Sequence, residues 1–364
     1  TWTSRLALGN AAWRGLAYGN GVWAAVSDAG TNRVMTSADG GVTWVARTAA
    51  AANEWNAVAY GAGLFVAVAD TGTSRVMTSA DGVTWVARTA AAANEWNAVA
   101  YGTNLWVAVA DTGTGNRVMT SPDGLTWTAR TSAADVLWSA VAFGGNLWVA
   151  VASSGTTATD TGRVMTSTDG VTWTKRTAAA ANQWRSVCYG NGLFVAVADS
   201  GTRNRVMTSA DGAVWTARVS AADHNWTAVT FTGGLFVAVA NSGNGVMTSP
   251  DGITWTARTA AVINWWTSVT YGNGLFVAVS STGTGNRVMT GFDGIVPDGP
   301  VIGSITPAIT SIDVPFTAPA SAGASAISNY EYSINGGSSW VTRSPASTAS
   351  PLTIAGLTGS TAYQ

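Results

Sequence analysis

Three observations predict an all-β chain of seven like units closed into a ring. A short string recurs at near-constant spacing. A tryptophan-led segment recurs in step with it. The first five residues supply a piece that the last unit lacks.

The string RVMTSADG begins at Arg33, Arg75 and Arg205, and returns with small changes at Arg117, Arg163, Gly245 and Arg287. Its aspartates are Asp39, Asp81, Asp123, Asp169, Asp211, Asp251 and Asp293, separated by 42, 42, 46, 42, 40 and 42 residues. The second anchor is Trp13, Trp55, Trp96, Trp138, Trp184, Trp226 and Trp266, mostly opening the pattern W-x-x-V-x-Y-G. Repeats at such a period indicate stacked or radially arranged units.

Each unit reads as four short strands. In the second, residues 55–60, 64–69, 75–79 and 83–88 are rich in Val, Phe, Thr and Trp, and are separated by GAG, DTGTS and ADG. Those residue types favour strands, and Gly, Asn and Asp punctuate them. The tract TAAAANE between units is helix-prone but too short to hold a helix alone. The first two strands are nearly continuous apolar runs, as expected of strands covered on both faces. Four strands in a unit of about 42 residues make a blade of a β-propeller. A linear solenoid would need polar end caps, and none is visible.

The ends of the array argue for closure. The seventh unit reads GFDGIVPDGP and lacks the Thr-Trp found after the aspartate in its neighbours; the chain begins TWTSR, comparable to TWTAR at 126–130. Residues 1–5 are therefore expected to complete the last blade and remove its open edge. The propeller is assigned to 1–296.

Composition excludes several functions. The 364 residues include only 18 Lys+Arg and 19 Asp+Glu, with a net charge of −1. A near-neutral chain without a basic block is not expected to bind nucleic acid. No apolar run approaches the ~18 residues of a membrane span, so membrane insertion is not expected. One Cys (Cys188) and one His (His224) leave no ordinary zinc ligand set, and no metal or cofactor is expected. Cys188 replaces an alanine of the repeat and reads as a buried small residue.

Ser37-Ala38-Asp39-Gly40-Gly41-Val42-Thr43-Trp44 resembles the Asp-box, S-x-D-x-G-x-T-W, of sialidase-like (BNR-repeat) propellers, and shorter copies follow as in Ser79–Trp85. The resemblance covers residues 1–296 and implies that the seven box aspartates are structural and peripheral. Unit five has Val214 in place of Thr, and unit seven loses the Ser and Trp.

From Val296 the pattern changes to a Pro-rich linker and new strands. The F-x-A-P segment, Tyr330-Glu331-Tyr332, Trp340 and the ending at Tyr363 resemble an incomplete fibronectin type III sandwich over 297–364. Its Tyr363 would match the tyrosine corner of such sandwiches. The missing strands imply either that the chain continues or that a partner, including another copy, pairs with the open edge.

Variation within the array concentrates in the loops between second and third strands and in those entering each first strand. Both sets fall on one face, which is the expected binding face. Its candidate ligand-binding residues are Arg14, Glu54, Glu95, Gln183, Arg185, His224 and Trp265, with Asp135 and Arg203 nearby. Amides, carboxylates and an exposed aromatic suit sugar recognition. Asp70 with Arg75, and Asp111 with Arg117, are expected to form ion pairs across a hairpin, worth little if exposed.

The Asp-box resemblance also raises sialidase-like hydrolysis. That chemistry uses an arginine triad, a Tyr/Glu nucleophile pair and an acid. The propeller offers only Glu54 and Glu95 as glutamates, in nearly copied segments. The expectation is therefore a non-enzymatic recognition, adhesion or structural module, extracellular or on a cell or virion surface. A phage tail or exported bacterial protein is the expected setting, with a glycan or surface protein as partner. The alternatives are a sialidase-like glycoside hydrolase and a ligand-free building block. Residues 33–61 and 75–102 differ by one inserted Gly, which indicates recent duplication and suits a fast-changing recognition array.

Overall fold

The computed structural model describes residues 1–7, 9, 11–292, 299–318, 327–335 and 339–358. The chain divides into two units, Thr1–Phe292 and Asp293–Gln364.

The first unit is a β-propeller of seven antiparallel four-stranded sheets. Blade 2 is representative: Trp55–Gly61, Leu64–Ala69, Val76–Ser79 and Val86–Arg88 pair in chain order. First strands of neighbouring blades pack together all round the ring, including Trp266–Gly272 of blade 7 against Trp13–Gly19 of blade 1. They therefore line the axis. The second and third strands are almost wholly buried, and the short fourth strands face solvent. Between blades 2 and 3, Val66, Val68 and Val76 interdigitate with Trp96, Trp106, Ala108 and Met119. Large and small residues alternate across such layers, which is how sheets pack face to face without voids.

The ring is closed by the chain's first residues. Trp2–Arg5 pairs with the third strand of blade 7, with Trp2 opposite Gly291 and Arg5 opposite Val288. Arg5 Nε donates to Thr290 Oγ1 at 3.0 Å, repeating the bond from Arg47 to Thr36 Oγ1 in blade 1.

The aspartate turns explain the repeated acidity. Asp81 Oδ1 accepts the backbone N–H groups of Val83 and Thr84 at 2.8 Å and the Ser79 hydroxyl at 2.9 Å. Gly82 takes φ +73°, and Trp85 Nε1 donates to its carbonyl. This is a short acceptor organising a tight turn beneath an indole lid. In unit five the turn survives the loss of Thr, because Asp211 accepts the N–H groups of Ala213 and Val214 and the Ser209 hydroxyl, and needs no side chain at 214. Asp293 lies outside the described residues.

Cys188 packs half-buried against the core of the sixth blade, and burial pushes its thiol well up. The four extra residues of unit four form a loop built on Asp160. It accepts from Thr156 N and Oγ1 and from Gly162 N, and it pairs with Lys175 at 3.4 Å.

Among its described residues the second unit has three small antiparallel sheets. Ser311–Val314 pairs with both Thr306–Pro307 and Leu352–Ala355; Val301–Ile302 pairs with Phe316–Thr317; and Glu331–Tyr332 pairs with Val341–Thr342. Leu352 and Ile354 are buried, and Phe316 meets Tyr330 edge-on at 4.6 Å between ring centroids. Tyr363 lies outside the described residues.

Candidate functional site: the mouth of the loop face

A β-bulge sits at the start of every first strand, between the anchor Trp and the second residue after it. A bulge leaves one residue unpaired and re-aims its side chain. Here the re-aimed residue stitches one blade to the next. Asn56 Nδ2 donates to Trp96 O, Asn97 Nδ2 to Trp138 O, Ser139 Oγ to Trp184 O, Thr227 Oγ1 to Trp266 O and Thr267 Oγ1 to Trp13 O, at 2.5–3.2 Å. Arg14 and Arg185 occupy this position in blades 1 and 5. Each turns to its own blade, pairing with Asp28 and Asp199 respectively at 2.5 Å.

The loops beside the mouth are held by arginines, but not through the expected ion pairs. Arg75 Nη1 donates to the carbonyls of Asp70 and Asn94, and its Nε donates to Gly72 O. Arg117 likewise clasps the carbonyls of Asp111, Gly113 and Val136. Neither pairs with the aspartate side chain of its hairpin. A guanidinium presents a fork of donors, and three converging carbonyls satisfy it better than one carboxylate at the hairpin end. Arg163 is almost fully buried in the same role, and burial lowers its pKa. A buried asparagine completes the clasp: Asn94 Nδ2 donates to Asn116 O at 2.9 Å, and Asn53, Asn182 and Asn264 repeat this.

One position per blade stands beside this scaffolding. It is the residue immediately before the anchor Trp: Ala12, Glu54, Glu95, Leu137, Gln183, Asn225 and Trp265. All but Ala12 are exposed, Trp265 at 58%. Its main chain is fixed, because its N–H donates to a loop hydroxyl. Examples are Glu54 to Thr71 Oγ1 and Trp265 to Thr282 Oγ1. The side chains therefore stand on rigid backbone around the mouth.

Of the residues expected here, Glu54, Glu95, Gln183 and Trp265 occupy this position, and Arg14 and Arg185 lie beside it. Gln183 and Arg185 are brought together, Arg185 Nη2 donating to Gln183 Oε1 at 3.1 Å. His224 is placed elsewhere. It takes the position of the clasp asparagine, half-buried, its ring edge-on to Trp226 and packed where a side chain on Gly243 would stand. Asp135 also lies off the position and pairs with Arg117 at 3.6 Å. Leu137 and Asn225 were not foreseen; counting back one residue from each anchor Trp identifies them.

The mouth is acidic on one side. Burial, Asp111 and Asp70 together push the Glu95 carboxyl up, against the opposing charge of Arg75. Asp70 and Asp111 each keep one buried carboxylate oxygen without a hydrogen-bond partner among the described residues. Among the described residues no three His, Cys, Asp or Glu side chains group as metal ligands.

No protein-family model matches the chain, and no curated protein matches its sequence. Solved structures match its fold. Virginiamycin B lyase from Staphylococcus aureus superposes with a TM-score of 0.65 at 10% identity, over 80% of this chain and 97% of that one. YCF48 bound to D1 peptide gives 0.61 at 13% identity, over 80% and 96%. YCF48 from Cyanidioschyzon merolae gives 0.58 at 14%, over 80% and 98%. At such identities the likeness establishes the β-propeller and nothing more specific. It does correct one expectation. The missing sialidase constellation predicts a non-enzyme, yet the structures sharing this fold include a lyase. The missing constellation therefore excludes one chemistry, not catalysis.

Proposed function

We propose that the chain is a surface recognition module whose ligand docks at the mouth of the loop face. One observation carries this reading. The residue before each anchor Trp is exposed in six of seven blades, and it takes six identities in the seven blades, only Glu54 and Glu95 being alike, while the strands behind it are nearly copied. The buried strands are held alike by packing, and the exposed position on the loop face is where blades can differ in what they bind. The ligand is a glycan or a surface protein. Amide, carboxylate and indole groups support the first, and a propeller of similar fold bound to a peptide supports the second.

The aspartate turns support membership of the Asp-box propellers. The strand pattern of the second unit supports a fibronectin type III-like spacer or attachment module. Both fit an extracellular, cell-surface or virion protein, such as a phage tail component or bacterial adhesin. The test is binding to a printed glycan array and to intact bacterial cells. Loss of binding on substituting Glu54, Glu95, Gln183 and Trp265 together supports the reading. Binding that survives this change in a folded protein overturns it.

A further inference from the structure

The mouth has two chemically different halves. Blades 2 and 3 present Glu54 and Glu95, with Asp70 and Asp111 behind them. Blades 5, 6 and 7 present Gln183, Asn225 and Trp265. The latter three form a continuous arc, because their strands are joined edge to edge. Val229 N donates to Ser186 Oγ at 3.1 Å, and Thr227 Oγ1 donates to Trp266 O at 2.7 Å. All three backbones are pinned: Gln183 N to Ser200 Oγ at 2.7 Å, Asn225 N to Ser242 Oγ at 2.8 Å and Trp265 N to Thr282 Oγ1 at 2.8 Å.

In both amides the oxygen is taken by an arginine. Arg185 Nη2 donates to Gln183 Oε1 at 3.1 Å, and Arg205 Nη1 donates to Asn225 Oδ1 at 3.0 Å. Arginine has donors only, so the amide oxygen must be the atom it meets. Both amide nitrogens are left as donors and make no hydrogen bond among the described residues. At the end of the arc stands Trp265, 58% exposed. Its other neighbour on the ring is Ala12, reached through the bond from Thr267 Oγ1 to Trp13 O, where the side chain is only a methyl group.

We propose that this arc is a carbohydrate subsite. A pyranose lays its C–H face on the Trp265 indole, and its hydroxyl or ring oxygens accept from the Asn225 and Gln183 amides. A pyranose chair has an apolar C–H face and an edge of hydroxyls, which is what an exposed indole with two amide N–H donors along one side complements. The proposal rests on the reading of the loop face as the binding face.

The experiment is saturation-transfer NMR on the full chain with methyl glycosides of galactose, glucose, mannose and N-acetylglucosamine, alongside a printed glycan array. The expected result is transfer to the ring protons of at least one sugar. Affinity should fall at least about tenfold in Trp265→Ala, about tenfold in Asn225→Ala, and less in Trp265→Phe, which keeps a stacking face. Melting temperature and near-ultraviolet dichroism report that each variant is folded. No Trp265-dependent transfer or array binding in folded protein overturns the proposal. If sugars fail while binding to intact cells still depends on the mouth residues, the carbohydrate subsite falls and the loop-face reading stands. If both fail, both fall.

Discussion

Gly272, the last residue of the first strand in blade 7, lies directly against the ring of Tyr18 in blade 1. A Cβ on Gly272 would stand 2.1 Å from Tyr18 Cγ. The contact joins the two ends of the array. It repeats between other blades, as where Gly61 meets Tyr101 and Gly144 meets Tyr189. The Y-G pair that ends the repeated segment is thus one half of an inter-blade lock. Gly272→Ala is expected to destabilise the propeller by about 1–3 kcal/mol, the usual range for overpacking, as measured by urea unfolding. An unchanged midpoint would show that Tyr18 moves aside without cost.

Closure by the N-terminal strand makes a second prediction. Deleting residues 1–5 removes the strand paired with Val288–Gly291 and uncovers that strand's edge. The melting temperature should fall sharply, and the truncated protein should aggregate on heating. A melting curve that does not shift contradicts the closure.

The aspartate turns predict a pH dependence. The described turn aspartates are held below their ordinary value of 3.8. In Asp169 the backbone N–H groups of Thr172 and Val171 bring it to about 2, against the opposing effect of burial. A folded value below the unfolded one adds stability above the unfolded value, and that stability is lost as pH falls through the folded one. Thermal stability should therefore drop between about pH 4 and pH 2, and Asp169→Asn should make the drop shallower. Asp81→Ala should cost about 1 kcal/mol at neutral pH, the scale of losing a capping acceptor.

Glu95 has the opposite sign. Its raised value means that the folded state holds the proton more tightly. That contribution is complete below the ordinary glutamate range and is lost as pH rises through the folded value. Glu95→Gln should stabilise the protein at pH 7 relative to wild type, and the difference should vanish near pH 4. A Glu95→Gln protein that is less stable at pH 7 would show that the carboxylate is not repelled by Asp111 and Asp70.

Strand order, blade number and closure were legible because a periodic chain displays its constraints seven times. The clasp residues were less legible. Asp70 and Arg75 have opposite charges at the two ends of a hairpin, and sequence alone pairs them. Only the folded backbone brings the carbonyls of Asp70, Gly72 and Asn94 to one point. For the same reason His224 drew attention by rarity, while Asn225, one residue nearer the anchor, holds the exposed position. The absence of a sialidase pattern likewise speaks to that one chemistry alone, because a scaffold can host chemistry that its repeats do not announce.

The claim that the loop-face mouth is the binding site is tested most directly by two matched variants. One replaces Glu54, Glu95, Gln183 and Trp265 with alanine. The other places lysine at Val83, Leu125 and Ile253, exposed residues of the aspartate turns on the opposite face. Both are assayed for binding to the glycan array and to intact cells. The first should lose binding by about tenfold or more, and the second should retain it. Binding retained by the first and lost by the second would place the site on the other face and contradict the account.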